Sequence, residues 1–148
     1  LEVLDREIKG GERVLDVGTG SGILGIGAIL LGAVDVEGVD IDPTAVKVAM
    51  ENAQLNGVED KTHFVQGDLP DKISGKYDLI GANIVADVII ALAPVLPELL
   101  GEQSVLILSG ILDVRLPDVL AALDRAGLTV RSIREKEEWR CICAGRRS

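Results

Sequence analysis

The stretch from Arg13 to Asp42 limits the folds open to this chain more than any other. Val14, Leu15 and Val17 form an apolar run too short for a helix, and Gly18-Thr19-Gly20-Ser21-Gly22 stops it. These residues tolerate positive φ and let a ligand approach the backbone. After Gly22, the residues Ile23, Leu24, Ile26, Ile29 and Leu30 recur at helical spacing, with Gly25, Gly27 and Ala28 between them. Small residues at such positions let a helix lie close on a sheet. Val34 to Ile41 is a second buried strand ending in acids. The unit is β-α-β, with parallel strands and a right-handed crossover.

A carboxylate at the end of the second strand, Asp40, stands where it accepts the ribose hydroxyls of a bound nucleoside. A dinucleotide would need G-x-G-x-x-G, so that its pyrophosphate sits on the helix N-terminus. Here the glycines fall at 18, 20 and 22, and Ile23 fills the place of the third dinucleotide glycine. The pattern, preceded by Asp16, resembles the first motif of the S-adenosylmethionine-dependent methyltransferases. An acid beside the loop suits a ligand carrying an ammonium and a sulfonium and would repel a pyrophosphate. A turn that merely needs glycine is the plainest competing reading.

The chain has 148 residues, so one domain with a single core is expected. Hydrophobic residues make up 47 %, yet there is one Trp, one Tyr and one Phe. That composition predicts an aliphatic core of the kind found in a sheet covered by helices on both faces. The net charge of −9 argues against a general nucleic-acid surface, which needs a basic face. No apolar run reaches transmembrane length, so no membrane association is expected. Cys141 and Cys143 stand two apart on one strand, a poor disulfide and too few ligands for zinc; reduced packing residues in a cytoplasmic protein are expected.

In chain order, residues 1–10 are expected to end a helix, with Leu1, Leu4 and Ile8 on one stripe. Pro43 to Asn56 is a helix capped by Asp42 and closed at Gly57. Thr62 to Gln66 is a third strand, with Asp68 just beyond it. His63 lies inside that strand, which argues for a structural role. Leu79 to Ala82 is a fourth strand running into Asn83, at the strand end where ligands bind in a parallel sheet. A helix from Ala86 to Leu100 is broken by Pro94 and Pro97. Ser104 to Leu108 is a fifth strand, Val114 to Ala126 a helix, and Leu128 to Arg134 and Glu138 to Ala144 a terminal strand pair. Trp139 is expected as a packed edge residue.

Taken together, L-D-V-G-T-G-S-G-I-L, V-D-I-D-P, A-N-I-V-A-D, L-S-G-I-L and E-K-E-E-W-R-C-I-C-A-G-R span nearly the whole chain. They resemble the catalytic domain of the bacterial methyltransferases that modify large-subunit ribosomal protein eleven. The resemblance implies an α/β, Rossmann-like fold: a seven-strand methyltransferase sheet, mostly parallel with an antiparallel last strand. It implies S-adenosylmethionine as cofactor, with contacts at Gly18 and Asp40; Asp16, Thr19, Gly20, Gly22 and Ile41 around the same loop complete the expected cofactor site, and Asp68 is either the acceptor for the adenine amine or an ordinary turn aspartate. Asn83 would stand beside the cofactor and hold the target amine, its side-chain oxygen accepting an N–H so that the lone pair faces the methyl carbon.

The expected function is therefore transfer of methyl groups to amino groups, lysine side chains or an N-terminal amine, of a protein partner, a ribosomal protein. Two family features, a glycine-threonine-histidine loop and an N-terminal substrate-recognition domain, would lie before Leu1. Residues 1–148 are accordingly expected to be the catalytic domain alone. Other acceptors, a small molecule or a nucleic-acid base, and a cofactor-binding module inactive by itself are the alternatives. The missing aromatic-proline pair after Asn83 counts against a flipped base, which needs a stacking partner.

Overall fold

The computed structural model describes residues 2–67 and 75–146, which fall in two compact units, Leu1–Ile73 and Ser74–Ser148. The first unit runs α1 (Glu2–Glu7), β1 (Arg13–Val17), α2 (Ile23–Leu30), β2 (Asp35–Asp40), α3 (Pro43–Leu55), a single 3-10 turn and β3 (Thr62–Gln66). Its strands are parallel in the order β3-β2-β1. Both connections step in the same direction, so right-handed crossovers put α2 and α3 on one face. Asp42 caps α3 as its sequence position predicts, its Oδ1 accepting from the Thr44 N–H at 2.9 Å, with Pro43 in the first turn.

Register decides what lies under those helices. Asp16 pairs with Gly38 and Gly38 with Phe64, so the three form one row across the strands. The ring of Phe64, the chain's one phenylalanine, fills the space that Gly38 leaves. A Cβ on Gly38 would stand 2.5 Å from Phe64 Cδ1 and 2.9 Å from Thr19 Oγ1. The same closeness recurs at Gly25 of α2, where a Cβ would meet Val36 Cγ1 at 2.7 Å. These glycines bring helix and loop down onto the strands. On β3, His63 is exposed and places Nε2 3.2 Å from Asp35 Oδ1.

The second unit runs β4 (Tyr77–Asn83), α4 (Ala86–Leu92), a 3-10 turn at Ala93–Val95, α5 (Leu96–Leu99), β5 (Leu100–Leu112), a 3-10 turn at Asp113–Arg115, α6 (Leu116–Arg125), β6 (Leu128–Lys136) and β7 (Trp139–Arg146). The order is β4-β5-β7-β6, with β4 and β5 parallel and β7 antiparallel to both its neighbours. Tyr77, Leu79, Ile80, Leu106, Leu108, Ile111, Leu123 and Ile142 are all buried there. Pro94 and Pro97 break the helical segment as expected, leaving α4, the 3-10 turn and the one-turn α5.

Three sequence expectations need correction. The fifth strand begins at Leu100 rather than Ser104: Ser104 Oγ donates to Tyr77 O at 2.6 Å and accepts from Gly101 N–H at 2.7 Å, which holds a glycine-led segment in the ladder. The helix expected from Val114 starts instead at Leu116, where Pro117 supplies a first-turn residue with no amide to satisfy. Trp139 is not on an edge strand. The last strand returns between β5 and β6, so Trp139 lies opposite Leu112 and Lys136 and remains 44 % exposed. Cys141 and Cys143 are not joined in a disulfide, and Cys143 is buried. Among the described residues no helix is long and apolar enough to cross a membrane.

The Gly38 contact yields a stability prediction. Gly38→Ala forces the Phe64 ring and Thr19 aside and should lower the unfolding free energy by about 1–3 kcal/mol, the usual cost of overpacking. Urea titration followed by circular dichroism measures it; an unchanged midpoint would mean the ring has room to move.

Candidate active site

The turn between β1 and α2 is a left-handed glycine loop, with φ of 70° at Gly18, 56° at Gly20 and 83° at Gly22. Its shape is pinned from three sides. Gly18 and Thr19 both donate their amides to Val39 O, at 2.8 and 3.1 Å, tying the loop's entry to β2. Asn52 of α3 donates Nδ2 to Ser21 O at 2.9 Å, tying its exit. Thr19, itself buried, donates Oγ1 to Asp16 Oδ2 at 2.7 Å and fastens the loop from beneath.

Asp16 is only 3 % exposed, so its carboxylate faces the underside of the loop. Burial pushes its pKa up from 3.8 to about 6; the Thr19 hydroxyl and the Gly25 amide, by bonding the charged form, pull it back, and the negative charge of Asp40 pushes it further up. At neutral pH the group is mostly ionised and accepts both bonds. What it does in this structure is hold the loop to the start of α2.

Asp40 is arranged differently. Its carboxylate is half-buried at the end of β2, with Oδ2 accepting from Gly20 N–H at 3.0 Å and Oδ1 from Asp42 N–H at 2.9 Å. One backbone donor on each oxygen fixes the plane of the group and leaves acceptor capacity on both. That is what a vicinal diol needs: two neighbouring O–H donors, two oxygens already oriented. Above the loop there is room, for a Cβ on Gly20 would have no neighbour within 4 Å. Beside it the Ile41 side chain is 71 % exposed. The residues present thus fit the ribose of a nucleoside cofactor. Asp68 lies outside the described residues.

Asn83 belongs to the second unit and closes β4 in register with Ser109 of β5. Its carboxamide is exposed and has no hydrogen-bond partner among the described residues. Just beyond it, Asp87 in the first turn of α4 accepts from Arg115 Nη2 at 2.6 Å, joining the segment after β4 to the segment after β5. The first unit therefore brings Asp16, Gly18, Thr19, Gly20, Gly22, Asp40 and Ile41 together around one loop, while Asn83 stands at a strand end in the second.

Sequence reasoning missed Gly38, Phe64 and Asn52, which shape the loop without touching its open side. Gly38 carried a signal: a lone glycine inside an apolar strand marks a close approach. Asn52 carried none, because its value comes from a contact with Ser21 made only once α3 has folded back.

The elevated Asp16 pKa fixes a pH dependence. The unfolded carboxyl titrates near 3.8 and the folded one near 6, so the folded state holds the extra proton between these values. Stability from this group is complete below pH 3.8 and is withdrawn as pH rises through 6, by about 3 kcal/mol for two pH units. Asp16→Asn lacks that term. Its unfolding free energy should gain on the native chain by about that amount between pH 4 and 7 in urea titrations, and parallel pH curves would contradict it.

Comparison with known proteins gives the family and the fold. The sequence family described as "Ribosomal protein L11 methyltransferase (PrmA)" matches residues 1–147. A ribosomal protein L11 methyltransferase of Pelotomaculum thermopropionicum is 46 % identical over 144 residues, 97 % of this chain and 47 % of that protein. The chain spans about half the length of the curated relatives it matches. Among solved structures, a ribosomal protein L11 methylase from Lactobacillus delbrueckii subsp. bulgaricus superposes with a TM-score of 0.94 at 35 % identity, over 98 % of this chain and 75 % of that one. An RNA methyltransferase from Salinibacter ruber, solved with S-adenosyl-L-homocysteine, has a TM-score of 0.75 at 24 % identity over 96 % of this chain and 88 % of that one, a likeness of fold. The fold is the seven-strand methyltransferase fold, mostly parallel, and the chain belongs to the ribosomal protein L11 methyltransferase family.

Proposed function

We propose that this chain is the catalytic domain of a methyltransferase that binds S-adenosylmethionine on the glycine loop and methylates amino groups of a ribosomal protein, lysine ε-amines or the N-terminal amine. The observation that carries the proposal is the Asp40 carboxylate, oriented by the Gly20 and Asp42 amides at the mouth of an open left-handed loop. Membership of a family named for ribosomal protein L11 supports a ribosomal protein as the acceptor.

Each residue has a task in this reading. Asp40 accepts the ribose hydroxyls, and Ile41 offers its exposed side chain to the adenine face. Gly20 keeps the backbone clear of a side chain on the open side of the loop, Gly18 takes the left-handed turn, and Gly22 lets α3 come close, since a Cβ there would lie 3.1 Å from Ala49 Cβ. Asp16 and Thr19 hold the loop in shape from below. Asp68 accepts the adenine amine. When bound, the cofactor supplies a methyl group made electrophilic by its sulfonium.

On the acceptor side, Asn83 receives an N–H of the target amine on Oδ1 and so turns the nitrogen lone pair toward the methyl carbon. The amine attacks only when neutral. Removal from water lowers the pKa of a lysine from its usual 10.4, and acceptors for its N–H bonds favour the neutral amine's orientation. Transfer is a single in-line displacement, so alignment is the protein's main contribution to rate.

Two substitutions separate the tasks. Asp40→Ala should weaken S-adenosylmethionine binding by about 1–3 kcal/mol, since the ribose hydroxyls lose their acceptor. Calorimetry giving unchanged affinity would remove Asp40 from the site. Asn83→Ala should leave that affinity within a few-fold while lowering methyl transfer to the ribosomal protein by about 100-fold, the cost of a misplaced nucleophile. Radiolabel transfer at the native rate would contradict the role given to Asn83.

A further inference from the structure

A terminal carboxamide at a strand end, exposed and without a hydrogen-bond partner among the described residues, should sample several rotamers. A methyl acceptor site built on it would then be poorly aligned, and misplacement by about 1 Å costs on the order of 100-fold in rate. Something other than hydrogen bonding has to hold Asn83. A neighbour close enough to limit its rotamers lies on β5.

Asn83 pairs with Ser109, and the next residue, Gly110, has φ of 79°. The β5–β7 register shifts between Leu108 and Ile111, so Ser109-Gly110 forms an irregularity in the ladder at the height of Asn83. A glycine in left-handed conformation at such a place is the usual means of re-aiming a neighbouring side chain. Here the consequence is direct: the position a Cβ of Gly110 would take lies 2.5 Å from Asn83 Oδ1, 3.7 Å from its Cγ and 3.8 Å from Ile84 O. The carboxamide oxygen occupies the space the missing side chain leaves.

We propose that Gly110 is a positioning residue, the seat against which the Asn83 carboxamide is packed so that Oδ1 keeps one direction. The inference rests on the acceptor role proposed for Asn83 and adds the residue that aligns it. Gly110 needs no contact with substrate or cofactor for this. Any side chain there moves the oxygen.

The test uses the whole chain with isotope-labelled asparagine, the Asn83 NH₂ resonance pair being identified by its loss in Asn83→Ala. Gly110→Ala supplies a Cβ; Gly110→Asn supplies one on a residue that tolerates left-handed φ, which separates the Cβ from backbone strain and serves if the alanine variant fails to fold. In either variant the Asn83 pair should shift while those of Asn52 and Asn56 stay, and methyl transfer should fall at least about tenfold with S-adenosylmethionine affinity within twofold. Added to Asn83→Ala, the Gly110 change should alter transfer by less than about twofold. An unmoved Asn83 pair, native turnover in Gly110→Asn, or equal losses with and without Asn83 would each overturn the proposal. If Asn83→Ala itself transfers at the native rate, the acceptor role fails separately, and the resonance pair alone decides whether Gly110 seats the side chain.

Discussion

The closeness of the glycine loop to the strands beneath it governs the first unit. Gly38 has no side chain, so the Phe64 ring fills its place in the row and Thr19 drops to within bonding distance of Asp16. A larger residue at position 38 would lift both. The loop would then lose its tie from below, and the Gly20 amide would lose its alignment on Asp40. One absent methyl group thus connects the packing of a core ring to the direction of a surface carboxylate, because densely packed interiors pass displacements on rather than absorb them.

The two acids of this unit show how environment divides chemically identical groups. Asp16 is buried, bonded internally, and raised to a pKa of about 6; it gives the loop its shape at the cost of a buried charge. Asp40 is half-buried, bonded by two backbone amides and open on its remaining acceptor sites. A carboxylate sealed off from solvent contributes rigidity, and one held in plane but still accessible keeps acceptor sites free for a donor from outside. The second unit follows the same logic with neutral groups. An exposed carboxamide at the end of β4 meets a glycine in the next strand, and the shape of the backbone does what a hydrogen bond does elsewhere.

Much of this was legible in the order of residues. Glycines at 18, 20 and 22 with Asp40 after the next apolar run announced a loop and an acceptor, and Asp42-Pro43 announced the start of α3, because turn chemistry and capping are local. The proline breaks after Ala93 were equally plain. Other features escaped because they depend on partners distant in the chain. Gly101 lies outside the strand expected from Ser104, and joins it because Ser104 bonds both Gly101 and Tyr77. Trp139 looked like an edge residue because the last strand in sequence is not the last in space. Nothing in the neighbours of Asn52 marks the contact it makes with Ser21.

The sequence by itself determined the class of the chain: alternating short apolar runs and amphipathic helices, the glycine loop, and the acid that follows it leave few architectures open, since periodicity and backbone freedom are properties of neighbouring residues. Tertiary structure alone decided the burial of Asp16, the tie from Asn52, the ring of Phe64 under Gly38 and the seat that Gly110 makes for Asn83. Each of these is a contact between segments far apart in sequence, and its energy depends on distances of a few tenths of an ångström that no pattern of residues contains.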